Sequence, residues 1–292
     1  MKEPNLKWIY LIILSIIWGS SFILIKKSLL GLTPYQLGAL RTIISGVILL
    51  TLGFNKLKVI PKHKWKWLFL SGLCGSFIPA FFFAIAETEI DSAVVSVLNS
   101  LVPLNTILLG FAVFRISSTL RQITGVAIGF IGTAILILKG ADLNPNQNYL
   151  YAGFVIASTL MYAANVNIIK RYLQDVKPLA IAAGNYFFIV IPAFIILLFT
   201  DFFTTERLHH PDLISSIIYV VILSVFGTAL AKLFFYKLVQ ISTPVFASSV
   251  TYIMPIVALA WGILDGEAFS LMQGLASLLI LVGVYLSHKR KT

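Results

Sequence analysis

SAVVSVLNSLVPLNTILLG at residues 92–110 and PVFASSVTYIMPIVALAWG at residues 244–262 share one outline. Each is apolar over about 20 residues, the length that crosses a bilayer core. Ser96, Asn99 and Pro103 punctuate the first, and Ser248, Thr251, Tyr252 and Pro255 punctuate the second. Spacings of three and four put each set on one helical face. A proline in a lipid-crossing helix frees a carbonyl that only neighbouring protein or a wet cavity can satisfy. The outline therefore predicts two membrane helices that turn polar stripes toward an interior.

The rest of the chain agrees. Of 292 residues, 59% are hydrophobic and 11% charged, and the mean hydropathy is +0.94; a soluble domain carries about 25% charged residues. Ten apolar stretches are predicted as spans, near 8–25, 34–54, 65–86, 92–114, 119–138, 150–169, 178–199, 214–236, 243–263 and 269–287. The connectors near 139–149 and 200–213 are too short to bury a core of their own. The first stretch imitates a signal peptide, but its length and the lack of a cleavage-like A-x-A predict a retained span. Cys74 is the single cysteine, so no intrachain disulfide is expected.

A net charge of +11 raises nucleic acid as a partner. No basic stretch is interleaved with stacking aromatics, however, and none is expected. Charge placement explains the excess instead. With the amino terminus inside and loops alternating, sixteen basic residues, among them Lys56, Lys58, Lys62, Lys170 and Arg171, fall inside. Lys26, Lys27, Lys139 and Arg207 fall outside, with most acids. That bias predicts ten spans with both termini cytoplasmic.

The halves also match in order. A shift of 144 pairs Trp18 with Tyr162, Lys26-Lys27 with Lys170-Arg171, Pro34 with Pro178 and Arg41 with Asn185. After the longer loop that follows span seven the shift is 152, pairing Gly75-Ser76 with Gly227-Thr228, Phe82-Phe83 with Phe234-Phe235, and Pro103 with Pro255. One residue is then lost, and Gln122 meets Gln273. Five spans per copy invert the second copy. The expected fold is an all-α integral membrane protein of ten transmembrane helices in two inverted five-helix repeats, residues 1–139 and 150–287.

Trp18-Gly19-Ser20-Ser21-Phe22 followed by Lys26, the Pro34 to Arg41 opening of span two, and the Gln122 and Gln273 spans with late glycines resemble the EamA type of the drug/metabolite transporter superfamily. The likeness covers essentially the whole chain. It implies a bacterial inner-membrane carrier, an exporter of amino acids, related metabolites or drugs, with a central cavity between the repeats. Proton antiport is implied by the resemblance alone, and facilitated diffusion stays open beside it. In one respect the chain departs from the pattern: Glu267 stands six residues before Gln273, but Ile116 fills the equivalent place before Gln122.

The predicted substrate pathway comprises Trp18, Arg41, Ser96, Asn99, Pro103, Tyr162, Asn165, Lys232, Ser248, Thr251, Tyr252 and Pro255, in a cavity bounded by spans one, four, six, eight and nine. Arg41 lies about 10 Å below the outer edge, too deep for loop solvation. A charge there costs about 3 kcal/mol unless it meets a partner or water, so function is its default reading. A tie to helix-end carbonyls or to Glu87, Glu89 or Asp91 is the structural alternative. For Lys232 the alternatives are an anion site and snorkelling to the inner interface. Its first-half counterpart is Ala80. Gly125, Gly129 and Gly132 suit close packing in a scaffold, with a dimer contact as the other option.

His63, His209, His210 and His288 lie in loops or tails, and neither a metal motif nor a nucleophile with an adjacent base is visible. An embedded enzyme on a lipid-linked substrate and a passive channel are thus the lesser alternatives, the latter lacking filter loops or charge rings. No cofactor or metal is expected. The expected partners are a small-molecule substrate and the lipid bilayer, with a homodimer left open.

Overall fold

The computed structural model describes residues 3–114, 120–143, 146–267 and 270–288. Ile116 and the Gln122 side chain lie outside the described residues. Among the described residues there is no strand, and the chain runs through α1 (Leu6–Ser28), α2 (Pro34–Leu57), α3 (Lys62–Ala86), α4 (Ser92–Val113), α5 (Leu120–Leu143), α6 (Tyr149–Tyr172), α7 (Pro178–Leu198), α8 (Leu213–Ile241), α9 (Pro244–Leu264) and α10 (Leu271–His288). Eight of these are long and apolar enough to cross a membrane. The other two, α5 and α10, hold shorter apolar runs, Ile123–Leu138 and Leu271–Gly283.

Local sequence sets the helix ends. Thr33 and Gln36 cap α2 reciprocally, with Pro34 at the first position, where its missing N–H costs nothing. Ser270 and Gln273 repeat the device on α10: the Gln273 N–H donates to Ser270 Oγ at 3.1 Å and the Ser270 N–H donates to Gln273 Oε1 at 2.9 Å. Gln273 is therefore a helix cap, which gives that landmark a local reason.

Four helices are irregular where the prolines and glycines foretell it. In α4 the first segment ends at Asn99 and a second starts at Val102, so Pro103 falls in its first turn. In α9 a tight 3₁₀ turn over Ser249–Tyr252 precedes a segment starting at Met254, with Pro255 next. Neither proline can donate to the carbonyl four residues back, that of Asn99 or Thr251. In α3 and α8 the irregularity is a widened π turn, over Leu73–Phe77 and Val225–Leu230; such a turn re-aims carbonyls that an α-helix would satisfy.

The helices pack by close approach, the main source of cohesion in lipid. Along its length α2 lies against α7, as α5 does against α10; α1 meets α9 and α8, and α6 meets α4 and α3. Glycine seams permit this. A Cβ on Gly53 would fall 2.6 Å from that of Ala183 on α7. One on Gly283 of α10 would fall 2.5 Å from the Gly129 nitrogen and 2.6 Å from the Gly125 carbonyl of α5. The glycine stripe of α5 thus packs within the chain, as a scaffold would use it. Val47, Ile191, Ile218 and Leu278 are exposed on outward faces, where lipid would meet them.

Candidate functional site

Between the helices lies a cavity of about 90 Å³, enough for several waters at roughly 10–15 Å³ each on that measure. Trp18, Arg41, Asn99, Tyr162, Asn165 and Lys232 line it, as do Ser248 and Thr251. Eight of the twelve residues predicted for the pathway are thus gathered around one space. The other four, Ser96, Pro103, Tyr252 and Pro255, do not reach its lining. Pro103 and Pro255 lie beyond the helix breaks, and a face drawn by three-and-four spacing holds only along an uninterrupted helix. Ser96 Oγ donates instead to the Ala93 carbonyl of its own helix at 2.8 Å.

Two cations reach the cavity by way of the π turns. Arg41 Nε donates to Thr228 Oγ1 in the α8 turn at 2.9 Å and makes no ion pair among the described residues. Lys232 is 7% exposed, and its ammonium donates to the Gly75 carbonyl in the α3 turn. It does not snorkel, since that carbonyl gives the ammonium a partner inside the protein. Among the described residues no aspartate or glutamate lines the cavity. Asn185, which the repeat pairs with Arg41, is fully buried within hydrogen-bond distance of Ser71 Oγ and Tyr236 Oη, at 3.0 and 2.9 Å. The guanidinium therefore has no equivalent from the second half.

Aromatics and amides complete the wall. Trp18 meets Phe235 edge-on at 5.0 Å, and its Nε1 donates to the Gly227 carbonyl at 2.9 Å. Tyr162 stacks on Phe83 at 5.9 Å. Asn165 Oδ1 accepts from Ser71 Oγ at 2.6 Å. Asn99 Oδ1 is buried without a partner. An uncompensated buried acceptor is costly unless a guest or water completes it.

Sequence reasoning missed the contributions of α3 and α7, and on α2 it named Arg41 alone: Thr42, Ser76, Ala80, Phe83 and Tyr186 also line the cavity. The match of Gly75-Ser76 with Gly227-Thr228 was the available signal. It also gave Glu267 no partner. That side chain is 2% exposed and takes Lys26 Nζ at 2.8 Å, Ser92 Oγ at 2.7 Å, and the N–H groups of Ser92 and Ala93 at 3.2 and 3.1 Å.

The profile of the EamA-like transporter family matches residues 6–138 and again 150–288. The chain belongs to the EamA-like transporter family. Relatives agree over nearly full length. An uncharacterized transporter of Archaeoglobus fulgidus is 26% identical, with 98% of this chain and 99% of that one covered. The uncharacterized inner membrane transporter YedA of Escherichia coli K12 is 26% identical over 94% of this chain and 87% of its own. Protein PecM of Dickeya dadantii is 28% identical over 89% and 82%. A solved crystal structure superposes with a TM-score of 0.63 at 18% identity, covering 98% of this chain and 96% of that one, which speaks to the fold alone. This EamA-like chain is an integral membrane transporter of the drug/metabolite superfamily.

Proposed function

We propose that the chain is a secondary carrier that exports a small anionic or zwitterionic metabolite, such as an amino acid or related compound, by alternating access. The observation that carries this is the convergence of Arg41 and Lys232 on a cavity that no carboxylate lines among the described residues. A guest carboxylate would supply the missing counter-charge. The unpartnered Asn99 Oδ1 would accept one of its N–H or O–H groups, and Trp18 and Tyr162 would flank its apolar part. Residue roles on the pathway belong to this proposal, as do proton antiport, the bacterial inner membrane and cytoplasmic termini.

The architecture we infer is two inverted five-helix repeats, residues 1–139 and 150–287. Its support is internal. Exchanging helix n with helix n ± 5 returns the α2–α7 and α5–α10 pairs to themselves and turns α1–α9 into α6–α4. The same exchange swaps the two π turns and the two broken helices. It also swaps Trp18 on Phe235 with Tyr162 on Phe83. Inverted repeats let inward-open and outward-open states have similar energies. Purified protein in liposomes, challenged with compounds chosen from an export profile of cells with and without it, tests the reading. Saturable flux with counterflow is expected; linear flux or chemically altered product would overturn it.

A further inference from the structure

We infer that Glu87 is a proton-binding site that operates a latch across the outer ends of the helices, the bound proton holding the latch shut. This rests on the alternating-access reading and adds a chemical trigger to it. Glu87 follows the last residue of α3 and is 7% exposed, and no side chain donates a hydrogen bond to its carboxyl oxygens. A carboxylate so placed is costly as an ion and acceptable as an acid.

The latch lies beside it. Lys26 at the end of α1 pairs with Glu267 at 2.8 Å and Asp265 at 3.1 Å, and Lys27 pairs with Asp265. Both acids flank Gly266, whose φ of 82° suits only glycine and lets the α9–α10 turn present them together. Through Ser92 and Ala93, Glu267 also holds the N-terminus of α4. One carboxylate thus joins α1, α4 and the α9–α10 turn.

Glu87 faces Lys26 from α1, Arg41 from α2, Glu267 from that turn with Asp265 beside it, Glu89 and Asp91 from its own loop, and the uncharged Asn146 and Gln147. Burial, reinforced by Glu267, pushes its carboxyl well above the ordinary range, and Arg41 and Lys26 only partly oppose this. Ionised, Glu87 would repel Glu267 and compete with it for Lys26, so the closed arrangement binds the proton more tightly than an open, hydrated one.

Among the described residues the inner side has no buried carboxylate of this kind. At the 152-residue shift the counterpart of Glu87 is Val239, and after the one lost residue, at a shift of 151, that of Glu267 is Ile116. Lys170, the counterpart of Lys26, donates to the carbonyls of Val239, Gln240 and Ser242 at 3.3, 3.2 and 2.7 Å. The inner ion pair, Lys64 with Asp175 at 2.8 Å, leaves its carboxylate exposed, so among the described residues the buried titratable carboxyl lies at the outer end.

Spin labels at exposed Leu30 and Leu264, in a Cys74→Ser background, would report the outer separation in liposomes. Closed populations should prevail in mild acid, and wider ones should grow as rising pH ionises a carboxyl held well above its ordinary range. Each unit of extra proton affinity in the closed state is worth about tenfold in the ratio. Glu87→Gln should stay closed throughout, Glu87→Asp should keep the response, and Glu267→Gln should stay wide. An unchanged pH response in Glu87→Gln overturns the proposal. If Glu267→Gln widens the gap but pH does not, the proton site alone fails; if neither moves it, alternating access fails too.

Discussion

Arg41 and Lys232 lie within the membrane-spanning helices, and each is tied to a neighbouring helix by a neutral oxygen. A neutral acceptor satisfies one donor and leaves the charge uncompensated, which is the basis of the anion reading. Lys232→Ala should lower transport of an anionic or zwitterionic substrate by about 10- to 100-fold, the range expected when a charge-assisted bond worth about 1.5–3 kcal/mol is lost. Membrane abundance measured by immunoblot should stay near wild type. Retained transport would remove Lys232 from the site. Arg41→Gln should likewise lose flux and keep abundance, whereas a fall in abundance would mark the Thr228 bond as structural. The depth of both residues was legible from counting. Their partners were not: nothing in the chain near Lys232 points to Gly75, which lies 157 positions away.

Paired glycine seams and paired irregularities are the features of the elements that most constrain the molecule. Adding a methyl at Gly283 would press on backbone atoms of α5, which cannot rotate aside. Gly283→Ala should therefore cost about 1–3 kcal/mol by overpacking, seen as a lower midpoint of thermal unfolding in detergent. Gly153, in the first turn of the α6 helix, has nothing within 4 Å of an added Cβ. Gly153→Ala should leave the midpoint unchanged or raise it, since alanine favours the helix by about 1 kcal/mol. Prolines announced the breaks in α4 and α9. The π turns had only Gly75 and Gly227 as signals, because a π turn arises where a neighbouring helix takes the re-aimed carbonyls, and neighbours are a tertiary fact.

At the scale of the whole molecule, falling pH should act on the outer latch twice. Glu87 has a raised folded value, so its contribution to closure appears as pH falls through that value toward the ordinary carboxylate range. Asp265 has the opposite sign: burial pushes its carboxyl up, but hydrogen bonds from Lys27 and Lys26 outweigh this and hold it below the ordinary range. Its contribution is present above about pH 4 and is lost as pH falls further. The closed population should thus rise on mild acidification and fall again in stronger acid, a bell that the same spin labels would trace; a monotonic curve would count against it. The sequence alone determined the membrane class, the run of apolar helices, the matched halves and the buried cations, because hydropathy, loop charge and proline position are local properties that lipid enforces residue by residue. Only the tertiary structure decided which polar residues share a cavity, that Ser96 and Tyr252 stand outside it, that Glu267 pairs with Lys26, and that Glu87 is buried without a side-chain donor. Those outcomes depend on which helices meet and at what depth, and each follows from contacts between positions that can lie more than 150 residues apart.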